Sequence, residues 1–137
     1  MKIFKKRILP VILGLVAGWV SIAIFDALNH QVYPSPDGLD YTDKDAILAL
    51  IESLPTGAFV LLLAGWMIGA FTGGLVGALV NKEAWRNTGI IVGVILALSS
   101  IINMTLIPHP TWLFIVASIG YVPMAYLGAK LIHKRNS

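Results

Sequence analysis

Four polar residues stand at helical spacing where the first long apolar stretch of the chain ends. They are Asp26, Asn29, His30 and Tyr33. The intervals i, i+3, i+4 and i+7 place them on one face if a helix extends that far. A carboxylate one turn before a histidine can pair with it, and the two groups together can relay protons or bind a metal ion. This face is the first candidate for chemistry.

Two further polar residues flank later apolar stretches on the same predicted membrane face. Glu52 precedes the second stretch, and His109 lies in the sequence IPHPTW between the third and the fourth. Two histidines and two carboxylates suit a metal with nitrogen and oxygen ligands, although no short motif such as HxxxH is present. The alternative is a polar rim in which Asp26 and His30 satisfy each other.

A second candidate site lies deeper in the apolar stretches. At a rise of about 1.5 Å per residue, Trp19 and Trp66 fall roughly 16 Å into their stretches, near the bilayer centre. Tryptophan usually prefers the membrane interfaces, where we expect Trp85 and Trp112. A central indole N–H needs an acceptor. The third stretch offers Ser99, Ser100 and Asn103.

Pro123 falls near the middle of the fourth apolar stretch. Proline cannot bind the carbonyl of Ile119, so we expect a kink at this point. Together with the central tryptophans, the kink fits a cavity for a lipophilic or aromatic ligand, entered past Asp26 and His30. The same features also fit a few interhelical hydrogen bonds and a bend that improves packing.

The composition indicates an integral membrane protein. Of 137 residues, 57% are hydrophobic and only 12% are charged, which lies outside the usual range of soluble domains. A membrane-spanning helix needs roughly 20 apolar residues. Four stretches meet that length, at about 8–28, 55–80, 88–107 and 111–132. We expect one domain, 1–137, with an all-α fold: a polytopic membrane protein of four transmembrane helices in a bundle.

The lysines and arginines predict the orientation. Four precede the first stretch, two lie between the second and the third, and three lie at the end of the chain, from Lys130 onward. Only Lys44 falls on the other side. Connections rich in these residues stay in the cytoplasm, so both termini are expected there, in a bacterial cytoplasmic (inner) membrane. The extracytoplasmic loop 29–54 is the counterpart of this asymmetry: apart from Lys44 it has no lysine or arginine, and it carries most of the acidic residues.

That loop contains signals for a short helix. The run from Tyr33 to Gly38, YPSPDG, must leave the helix, because its prolines and Asp-Gly favour turns. Thr42 and Asp45 resemble a capping box that opens a short interfacial helix. Ser53 and Pro55 are expected to mark the cap and the start of the second span.

Small residues recur at intervals of four in three of the stretches, as in a glycine zipper. The positions are Gly14 and Gly18 in the first, Gly65, Gly69, Gly73 and Gly77 in the second, and Gly89 and Gly93 in the third. Such stripes let helix backbones approach closely in lipid. Two interpretations remain open: packing seams inside one bundle, or a contact that joins subunits of a homo-oligomer.

These observations favour association, or binding of a lipophilic ligand or partner within the bilayer, without catalysis. A small transporter with a polar pathway inward from Asp26 and His30 is the first alternative, and an outward-facing metal or enzymatic site is the second. The expected partners are membrane lipid and either further copies of the chain or a larger membrane complex. The sequence indicates no cofactor. Nucleic acid is excluded because the basic residues flank apolar spans, and the absence of cysteine excludes thiolate chemistry.

Overall fold

The computed structural model is an all-α bundle, as the sequence predicts. It describes residues 7–33, 38, 40, 42–106 and 110–135. Within those ranges five helices follow one another and no strand is present. The helices are α1 (Leu9–Val32), α2 (Lys44–Ser53), α3 (Thr56–Val80), α4 (Trp85–Leu106) and α5 (Thr111–Arg135).

Four of these described helices are long and apolar enough to cross a membrane. They coincide with the four predicted stretches and indicate a multi-pass membrane protein. Three boundaries differ by three or more residues, since α1 continues to Val32, α4 begins at Trp85 and α5 continues to Arg135. The backbone hydrogen bonds of a helix do not stop where its apolar run stops, and the Tyr33 N–H closes the last turn of α1 on the Asn29 carbonyl at 2.7 Å.

The N-terminal cap of α2 is Asp43, so the predicted cap at Thr42 is wrong. The Asp43 carboxylate accepts a hydrogen bond from the Asp45 N–H at 3.0 Å. Thr42 instead donates its hydroxyl and its backbone N–H to the Asp40 carboxylate, at 2.6 and 2.9 Å. Those two hydrogen bonds lower the pKa of Asp40. An aspartate directly before the helix reaches the free N–H groups better than the threonine one residue earlier.

Ser53 closes α2 and does not cap α3 as predicted. Its hydroxyl donates to the Leu50 carbonyl at 2.7 Å. Leu54 then has an extended backbone and separates the two helices. Pro55 occupies the cap position of α3 without a side-chain hydrogen bond. The predicted start of the second span at Pro55 therefore agrees with the structure, whereas the predicted cap does not.

Helix α3 is the central element of the bundle. It packs against α1, α5 and α4, while α4 also packs against α5 and, less extensively, α1. Helix α2 contributes no buried residue. The positions of the other spans therefore depend on the two faces that α3 presents.

The first face of α3 is the glycine stripe, and α1 covers it. A methyl group on Gly73 would lie 2.9 Å from the Gly14 carbonyl oxygen, and one on Gly14 would lie 2.6 Å from the Gly73 oxygen. Farther along, a methyl group on Gly69 would lie 3.0 Å from the Gly18 oxygen. The two backbones touch, and only glycine permits this approach. The stripe thus forms a packing seam inside this chain.

The second face of α3 meets α5 in the same way. A side chain on Gly74 would overlap the Ala125 carbonyl, and one on Gly128 would overlap the Phe71 carbonyl. Helix α4 joins α5 through Gly93, where a methyl group would lie 2.8 Å from the Val122 Cα. Helix α3 therefore lies between two helices at backbone contact distance.

Helix α1 leaves most of its circumference uncovered. In the 18-residue apolar segment by which α1 qualifies as a membrane span, only 17% of the residues are buried within the protein. The uncovered side chains include Ile12, Val16, Trp19, Val20, Ile24 and Leu28. In a bilayer this face meets lipid, so α1 is held to the bundle mainly through its glycine face.

We expect Gly73→Leu to destabilise the protein by at least about 2 kcal/mol, because the new side chain would force α1 away from α3. The free energy of unfolding in detergent, measured by titration with a denaturing detergent, checks this. Ala23→Leu adds a leucine on the exposed side of α1 and is the control. Equal stability of the two variants would show that the α1–α3 contact is not tight.

Candidate functional site

An open cavity of about 190 Å³ lies between four helices, part of the way along their length. Its lining residues are Trp19 and Ile22 of α1, Trp66 of α3, Leu96, Ser99, Ser100 and Asn103 of α4, and Tyr121 of α5. The two central tryptophans and the three polar residues of α4 singled out in the sequence therefore line one cavity. That this cavity binds a ligand is still a prediction.

Aromatic side chains form the inner wall. Trp66 and Tyr121 are 6% and 2% exposed, and their rings stack with centroids 6.5 Å apart at 27°. Trp66 follows Gly65 on α3, where a methyl group would lie 2.5 Å from the Phe25 Cβ of α1. The Phe25 side chain therefore occupies the space between α1 and α3 at this level. Farther along, at Gly69 and Gly73, the backbones of the two helices touch.

The hydroxyl of Ser100 is the unusual polar group of the cavity wall. Ser100 is 8% exposed, and its Oγ has no hydrogen-bond partner in the protein. The Tyr121 hydroxyl lies close enough to interact with it, but the two hydroxyls do not meet in the geometry of a hydrogen bond. A buried hydroxyl without a partner costs free energy, because it has lost the hydrogen bonds it would make with water. The cavity wall thus presents a polar group with spare hydrogen-bonding capacity.

Trp19 lies at the exposed edge of this open cavity. This side chain is 48% exposed although it lies well inside α1, so its uncovered part faces the surrounding bilayer. The volume exceeds the roughly 150 Å³ of an apolar cavity known to hold benzene. The cavity can therefore accept an aromatic ring or a similar group directly from the lipid phase.

The first candidate face lies toward the end of α1. Asp26, Asn29 and His30 all belong to the helix, as predicted, whereas Tyr33 has left it and approaches Gly57 at the start of α3. Asn29 Oδ1 is buried without a partner. The Asp26 carboxylate, one turn beyond Ile22, is close enough to Tyr121 to act on it electrostatically.

The metal site proposed for this face has little structural basis. Among the described residues, no three His, Asp or Glu side chains come together as a metal ion would require. Glu52 is exposed on α2, and His109 lies outside the described residues. Within the described part of the chain, the predicted convergence of these ligands is therefore not present.

Three cavity residues were not found from the sequence: Ile22, Leu96 and Tyr121. The signal for Tyr121 was present, because a tyrosine near the middle of an apolar helix carries a hydroxyl that needs a partner. Pro123 lies two residues further on, and α5 continues through it, so the expected kink stays a prediction. Ile22 and Leu96 are ordinary apolar residues and carry no such signal.

Comparison with protein-family models, curated proteins and solved structures yields no match for this chain. Its function is therefore inferred from the geometry of the cavity.

Removing the free hydroxyl should not weaken the ligand-free protein. We expect Ser100→Ala to leave the free energy of unfolding unchanged or to raise it by about 1 kcal/mol, because an unsatisfied buried group is lost. The control is Thr72→Val, which removes a hydroxyl already bonded to the Ile68 carbonyl at 2.8 Å and should lower stability slightly. Denaturing-detergent titration of delipidated protein gives both values. If Ser100→Ala lowered the free energy of unfolding by more than about 1 kcal/mol, the Ser100 hydroxyl would have a hydrogen-bond partner in the ligand-free protein, contrary to the structure.

Proposed function

We propose that this chain is a small membrane protein that binds a lipophilic molecule in the cavity between α1, α3, α4 and α5. The observation that carries the proposal is the buried Ser100 hydroxyl, which has no partner and lies in the wall of an aromatic-lined cavity. Apolar ligand pockets with a few convergent polar groups are the usual form of a small-molecule site.

The lining residues define the ligand chemistry. Trp66 and Tyr121 suit a flat ring or an isoprenoid or acyl segment, while Ser100 and Asn103 suit one carbonyl or hydroxyl group. The ligand would enter from the bilayer past Trp19, so it must be soluble in lipid. Its polar group would bind at depth and its apolar part would face the aromatic wall.

Binding fits the cavity better than catalysis. Of the eight described lining residues, none is a carboxylate, a histidine or a lysine, and the tyrosine hydroxyl is neutral at physiological pH. General acid–base chemistry needs a group that titrates near the working pH. The lining supplies recognition groups instead.

The test is native mass spectrometry of protein purified gently from its membrane. We expect about one lipophilic molecule per chain on the wild type, and its loss in Ser100→Leu, because the leucine fills the cavity and removes the hydroxyl. Thr105→Leu places the same side chain on the exposed face of α4 and should retain the molecule. The same spectra report the mass of any homo-oligomer or partner subunit.

Two results would overturn the binding proposal. One is a wild type that carries no small molecule in any detergent that preserves its fold. The other is equal retention by Ser100→Leu and Thr105→Leu, which would place the molecule elsewhere.

A second candidate function is transport along a polar path from Asp26 to the cavity. It is favoured by the position of Asp26 on α1, one turn beyond the cavity residue Ile22. A carboxylate in that position can exchange a proton for a cationic substrate.

We expect a transporter to drive uptake of tetraphenylphosphonium into proteoliposomes under an imposed pH gradient. Asp26→Asn should abolish this uptake, because an amide cannot bind and release the proton, while Tm stays unchanged. Glu52→Gln, on the exposed α2, is the matched control and should behave as wild type. Uptake no greater than in protein-free vesicles rejects transport of this cation and leaves binding as the function.

A further inference from the structure

A second and larger cavity, about 530 Å³ in volume, lies at the opposite end of the bundle. It is bounded by the start of α1, the end of α3 and the first turns of α4. The described lining residues that could contact a ligand include Arg7, Glu83, Asn87, Ile90 and Ile91. None of them belongs to the first cavity, so what it binds is independent of the function proposed above.

This cavity carries charges of both signs. Arg7 comes from the residues just before α1, and Glu83 comes from the short connection between α3 and α4. The connection is held in place, because the Ala84 N–H donates to Asn81 Oδ1 at 3.3 Å. The amide of Asn87, exposed on the first turn of α4, adds a neutral donor. A ligand bound here meets a cation, an anion and an amide.

The part of the cavity formed by Ile90 and Ile91 of α4 is apolar. Ile90 and Ile91 are 36% and 46% exposed. The exposed face of the same helix goes on through Val94, Leu98 and Ile102. An acyl chain can follow this face down into the bilayer from a headgroup held above it.

Neighbouring aromatic residues mark this level as the membrane interface. Trp85 stacks on His133 with ring centroids 4.7 Å apart at 16°, and the Arg86 guanidinium lies 5.3 Å from the centre of the Trp85 ring. Tryptophan and arginine typically occupy the headgroup level. The cavity therefore lies where the phosphate and amine groups of phospholipids are concentrated.

We propose that this cavity binds the headgroup of a phosphoethanolamine phospholipid. The phosphate would bind Arg7 and Asn87, the ammonium would bind Glu83, and an acyl chain would lie on Ile90 and Ile91. An arginine suits a phosphate through paired N–H donors. A primary ammonium can donate hydrogen bonds to a carboxylate, whereas the choline group has no N–H, and an anionic headgroup would place negative charge beside Glu83.

The test titrates purified, delipidated protein with phospholipids that share one pair of acyl chains and differ in the headgroup: phosphoethanolamine, phosphocholine or phosphoglycerol. Native mass spectrometry counts the lipids bound. We expect the wild type to bind the phosphoethanolamine lipid at least about fivefold more tightly than the phosphocholine lipid. Glycerophosphoethanolamine and inorganic phosphate, which lack acyl chains, should not displace it.

Two variants test the contributions of Glu83 and Arg7 to lipid binding separately. Glu83→Gln should bring the affinities of the two zwitterionic lipids within about twofold of each other, whereas Arg7→Gln should weaken all three lipids by about threefold or more. Both residues are exposed, so the fold should persist, with Tm as the check. Lys44→Gln and Glu52→Gln, on the exposed α2, are matched controls and should bind as wild type.

Three outcomes would overturn this proposal: no preference for the phosphoethanolamine lipid in the wild type, an unchanged preference in Glu83→Gln, or displacement of the lipid by glycerophosphoethanolamine or inorganic phosphate. The last of these would identify a site for a free headgroup or phosphate.

Discussion

Contact between helix backbones at glycine is the constraint on which the rest of this structure depends. In lipid, apolar side chains gain little by leaving the solvent, so helices associate where their backbones can approach closely. Helix α3 has two such faces, one at Gly69 and Gly73 against α1, and one at Gly74 against α5. These two contacts fix the separation and the register of the spans.

The cavity follows from where that contact ends. At Gly73 the backbones of α1 and α3 touch, but at Gly65 the Phe25 side chain occupies the space between them. Beside this point Trp66 and Tyr121 fill the centre of the bundle with rings. Close backbone packing therefore gives way to aromatic packing within three helical turns. The cavity lies at that transition, with Ser100 in its wall.

Much of this arrangement could be predicted from the sequence. Hydropathy predicts the four spans because a helix is one of the few structures that satisfy all backbone hydrogen bonds in lipid. Helical spacing predicts the glycine stripe. Central tryptophans and hydroxyls were sound signals for the cavity, since polar atoms at that depth need partners. The sequence did not indicate which helix covers the stripe, or that Ile22 and Leu96 complete the cavity, because those contacts depend on helix arrangement. The cap at Thr42 was wrong because the Asp43 carboxylate binds the free Asp45 N–H, and the cap at Ser53 was wrong because its hydroxyl donates back to the Leu50 carbonyl.

We expect the Ser100 hydroxyl to have its hydrogen-bond partner in a bound lipophilic molecule. The most direct measurement is a high-resolution structure of the protein purified in a nanodisc of its native membrane. It should show elongated or ring-shaped density beside Trp66 and Tyr121, with one end about 3 Å from Ser100 Oγ. A cavity closed by Trp19 and Leu96, or one that holds only water bound to Ser100, would contradict the account.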